Sequence, residues 1–113
     1  MSRFMQIDIR LIPFYETPFS KAFSRLAALL REYDYTLPLE RDISLYDLVD
    51  YLEDMLNEPR VAADVKDRIR PHVNRLRALK ETAREQLLGR RLNDLDDFLY
   101  RMEDEFAELE KAL

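Results

Sequence analysis

Cysteine and tryptophan are absent from this chain, and it has a single glycine and a single histidine. Without cysteine there is no disulfide, no thiolate nucleophile and no Fe–S or cysteine–zinc site, and the composition suits a reducing compartment. The lone Gly89 excludes a P-loop and the dinucleotide-binding fingerprint, which need several glycines where backbone approaches a phosphate. The lone His72 excludes the paired Glu-x-x-His motifs of a di-iron carboxylate bundle. No stretch of about 18 apolar residues is present to span a bilayer. Asp8 and Arg10 interrupt the only segment that would have to serve as the apolar part of a signal peptide. We therefore expect a cytoplasmic protein with no membrane partner.

What is present is helix-forming. Of 113 residues, 47% are apolar and 36% charged, a balance well clear of the disordered range. Leucine, alanine, arginine and glutamate dominate, which argues for helix over sheet. The length predicts a single helical domain over 1–113. Charge is segregated along it. Residues 1–58 carry a net −5, residues 59–91 a net +6, and residues 92–113 a net −6. The most regular pattern lies at the end, where Leu92, Leu95, Leu99, Met102, Phe106, Leu109 and Leu113 alternate at spacings of three and four. That is an a/d seam of the coiled-coil type.

In chain order, an N-terminal arm occupies 1–16. Met5, Ile7, Ile9 and Leu11 alternate with polar residues, so about 4–12 is expected to be extended or strand-like, ending at Pro13. Its apolar residues are candidate contacts for a second subunit, for another protein or for the chain's own bundle. A first helix is expected over about 18–34, with Thr17 as N-cap and Pro18 in its first turn. Tyr35 to Asp42 reads as a loop broken by Pro38. A second helix, 44–57, opens with Ser44 as cap and Asp47 in the positive first turn. Its outer face is a row of carboxylates (Asp47, Asp50, Glu53, Asp54, Glu58), read as a solvated face, with a divalent-cation site or a strip for a basic partner as the alternatives.

A helical hairpin is expected over 59–113, basic then acidic. Its first arm, 60–88, should be kinked or broken at Pro71, which removes a backbone bond and crowds the preceding turn. Gly89 is expected to end it in the left-handed conformation. Asn93 is expected to cap the second arm, 93–112. The whole is an all-α, four-helix bundle-like architecture.

No residue set here reads as catalytic, cofactor-binding or metal-binding, since nothing ties Ser20, Ser24 or Ser44 to His72. The expectation is a non-enzymatic protein–protein interaction module: an adaptor, assembly chaperone or regulator. It would act through helical packing, as a homodimer or with another protein, and the seam Leu92, Leu95, Leu99, Met102, Phe106 and Leu109 would carry the contact. Nucleic-acid binding is the alternative, with Arg75, Arg77 and Arg84 of the arginine-rich stretch 60–91 as phosphate contacts. A third reading starts from His72. A helical histidine in a small acidic bundle is similar to a histidine phosphotransfer domain, in which a lysine and a glycine follow the histidine closely. In His72-Val73-Asn74-Arg75-Leu76 only Arg75 stands where a base might serve and there is no glycine, so this alternative is remote.

Overall fold

A computed structural model describes residues 4, 5, 10–41 and 43–113. Among them there is no strand, and the chain is all-helical: α1 Phe19–Ala22, α2 Ser24–Glu32, α3 Leu37–Glu40, α4 Leu45–Asn57, α5 Ala63–Leu88 and α6 Leu92–Ala112. The antiparallel hairpin of α5 and α6 is the spine, and α4 and α2 pack on it. Leu26, Leu30, Leu48, Val49, Leu52, Met55, Ile69, Val73, Leu76, Met102, Phe106 and Leu109 form one core from which water is excluded. The expected stripe of α4 is the one buried, and its Ser44 cap forms as predicted. The Asp47 amide donates to Ser44 Oγ over 3.2 Å.

Several local expectations are corrected. The first helix is not continuous over 18–34. It breaks at Phe23 (φ −126°, ψ 59°) into α1 and α2, and neither has a side-chain cap of its own, so Thr17 does not serve as one. The cause lies far away in sequence. Glu110 of α6 accepts the amides of Arg25 (2.7 Å) and Leu26 (2.9 Å), which a continuous helix would use internally. The break also turns Phe23 onto Phe106, edge to face with centroids 6.2 Å apart. The segment read as a loop contains the single turn α3, with Pro38 buried in its first turn, where a missing N–H costs nothing.

Of the kink or break expected at Pro71, the break does not occur, and α5 runs through the proline as one helix. Pro71 is exposed on the outer face, while Ile69, Val73 and Leu76 on either side are buried. The carbonyl it leaves unbonded thus faces water, and core packing clamps the helix before and after it.

Gly89 is not left-handed either, with φ −82°. That conformation falls on Arg90, at φ 57°. The Arg91 amide reaches the Gln86 carbonyl (2.8 Å) and the Arg90 amide the Leu87 carbonyl (3.2 Å), a Schellman closure with Arg90 where glycine is usual. The end of α2 repeats it, with Asp34 at φ 65° and bonds from Tyr35 to Leu30 and from Asp34 to Arg31. At the start of α6 the cap position is Arg91, with no side-chain bond, so Asn93 does not cap it.

Of the arm, Leu11 is half-buried against the core, while the extended conformation expected around Ile7 and Ile9 lies outside the described residues.

Candidate functional site

The predicted seam divides in two. Leu95, Met102, Phe106 and Leu109 are buried within the chain's own bundle, so four of the six residues already have partners. Leu99 is only partly buried and Leu92 is 55% exposed. The two share one flank of α6, with Leu99 still packed against the core and Leu92 in water.

On that flank a cleft of about 660 Å³ opens between α6, the start of α4 and the arm. Leu99 and Tyr100 form one wall, Ile12 and Phe14 the other, and Phe23 and Leu45 lie in its lining. Ile12 (75% exposed), Phe14 (82%) and Tyr100 (60%) stand in water beside it. The arm is held there by the Tyr15 hydroxyl, which donates to the Ile43 carbonyl over 2.6 Å, and by edge-to-face contact of Tyr15 with Phe19. The charged residues of the lining are both acids, Glu16 and Glu103. Partial desolvation, with the nearby Asp104 and Asp96 charges, holds the Glu103 carboxyl above its ordinary range.

Ile12, Phe14 and Tyr100 are the residues that sequence reasoning missed. The available signal was the unbroken apolar run Leu11-Ile12-Pro13-Phe14-Tyr15 outside any helix. An extended chain turns successive side chains to opposite sides, so such a run cannot bury all its members against one core.

The arginines expected to share a face do not. Arg75 turns toward α6 and donates through Nε to Glu105 Oε1 over 2.7 Å. Arg77 lies two residues on, about 200° around the helix, and Arg84 follows Arg77 after two turns on the far flank. Lys80, between those flanks, pairs with Asp50 of α4 at 3.0 Å and sits over the Tyr46 ring. Among the described residues, the ion pairs that join basic α5 to acidic α6 therefore run through one carboxylate, Glu105.

His72 belongs to the same knot. Its Nδ1 lies 2.7 Å from Glu105 Oε2, and its side chain is 15% exposed. With Nδ1 donating to the carboxylate, this histidine locks the two helices together. Burial would raise the Glu105 carboxyl, but the bonds from Arg75 and His72 and their charges outweigh it and hold the carboxyl below its ordinary value.

The carboxylate row on α4 is mostly exposed, and no group of three or more metal-ligating side chains converges among the described residues. No helix of the described chain is long and apolar enough to cross a membrane. No protein-family model, curated protein or solved structure matches this chain.

Proposed function

We propose that this chain is a non-enzymatic interaction module of the cytoplasm, which self-associates as a homodimer through packing of its helices. The observation that carries the reading is the cleft between the arm and α6, flanked by Ile12, Phe14 and Tyr100 in water. Large apolar side chains gathered on one surface mark an interaction site far more often than scattered ones do. Anchors that are aromatic, such as Phe14 and Tyr100, are the type that dominates binding energy at interfaces. The nucleic-acid reading has weaker support, because Arg75 is engaged by Glu105 and lies on the flank opposite Arg77 and Arg84.

Native mass spectrometry of the protein from its own host tests the proposal. The expected spectrum contains a dimer or a complex with a second protein. The exposed-site double variant Ile12→Asp with Phe14→Asp should lose that species while keeping its helical circular dichroism. A bare monomer in the parent protein, or a complex indifferent to both substitutions, would sink it. Co-purifying nucleic acid, released by salt, would move the assignment to the arginines.

A further inference from the structure

Resting on the homodimer reading, we infer that the cleft is filled by the α5–α6 hairpin tip of a second copy, with Arg91 of each copy set against Glu103 of the other. The tip is a second place where apolar side chains stand in water, with Leu88 72% and Leu92 55% exposed. Arg84, Arg90 and Arg91 surround them, all exposed and none in an ion pair among the described residues. The cleft offers the counterpart: apolar walls with Glu16 and Glu103 as their charges. One end of the molecule is a basic apolar knob, and the other surface is an acidic apolar hollow.

The spacing on α6 lets both contacts form at once. Leu92, Leu99 and Glu103 follow each other by seven and four residues, which keeps them within about 40° on one flank of a helix. Leu92 and Glu103 are eleven residues apart, about 16 Å of helix. Two α6 helices laid antiparallel, with a twofold axis near Phe98, place each tip over the other copy's cleft. Such an arrangement is closed and stops at two copies. An arginine at Glu103 also supplies a cation to a carboxyl crowded by Asp104 and Asp96. Asp96 lies on the same flank near the axis, so the two copies bring one like-charged pair together and affinity is tempered accordingly.

Sedimentation velocity of the full chain at low salt, with Arg91→Glu, Glu103→Arg and the two combined, reads the ion pair. Each single reversal should weaken dimerisation about tenfold or more, and the double variant should restore it. Because the chain has no cysteine, Leu92→Cys with Glu103→Cys gives an independent reading. Within one copy these positions are too far apart to bridge, so oxidation should yield a covalent dimer that neither single cysteine gives. A dimer that ignores the charge reversals and does not cross-link overturns this interface and leaves the homodimer standing. A parent protein that stays monomeric throughout overturns both.

Discussion

Glu105 concentrates more of the internal electrostatics than any other residue of the hairpin. It accepts from Arg75 and His72 at 2.7 Å each, and its side chain is 13% exposed. Its carboxyl sits below the ordinary 4.5 because those donors outweigh burial. A carboxyl depressed in the folded state adds stability above its unfolded value, and that stability is lost as pH falls through the folded one. Glu105→Gln should therefore cost about 1–2 kcal/mol at neutral pH, and the gap from the parent should close as pH falls through the carboxyl's depressed folded value. Urea unfolding at a series of pH values measures it, and parallel curves down to acid pH would contradict the assignment. None of this was legible in the sequence, where His72 and Glu105 are 33 positions apart. Only local rules could be applied there. Ser44, whose partner Asp47 is three residues on, was legible for that reason.

At the scale of elements, periodicity located α4, α5 and α6 well, because each buries one stripe and the stripe repeats. Helix ends were harder. Gly89 and Asn93 carry the residue types that favour caps, yet the left-handed position went to Arg90 and the cap position of α6 to Arg91. Propensity names a residue, but hydrogen-bond register between Gln86 and Arg91 decides where the turn falls. Pro71 teaches the converse. Its local cost is real, but buried neighbours on both sides keep α5 one helix through the chain's own breaker. Pro71→Ala should restore the bond from position 71 to the Asp67 carbonyl and stabilise the protein by about 1–3 kcal/mol. Thermal unfolding checks it, and a variant less stable than the parent would show that the proline's ring packing outweighs its missing N–H.

At the scale of the whole molecule, the hairpin is the spine, and its longer arm α5 runs 26 residues, about 39 Å. Its a/d seam was visible in the sequence. Which side chains it would face was not, since a heptad pattern looks the same whether its partner is in the same chain or another. The outcome was mixed: Met102 and Phe106 went to the core, Leu99 is half-buried against it, and Leu92 remains at the surface. The clasp that closes the fold is Glu110 on the first amides of α2. Removing it by Glu110→Ala should cost about 1–2 kcal/mol, while Glu110→Gln, which keeps an acceptor, should cost less. Amide hydrogen exchange should place the loss at Arg25 and Leu26, and unchanged protection there would refute the role. The same clasp sets an order of events during synthesis. The two groups it joins are 85 and 84 residues apart, so a nascent chain carries α2 with its first amides unanswered until residue 110 has left the ribosome. The start of α2 thus waits on α6, an interval in which a chaperone or a second nascent copy has its opening.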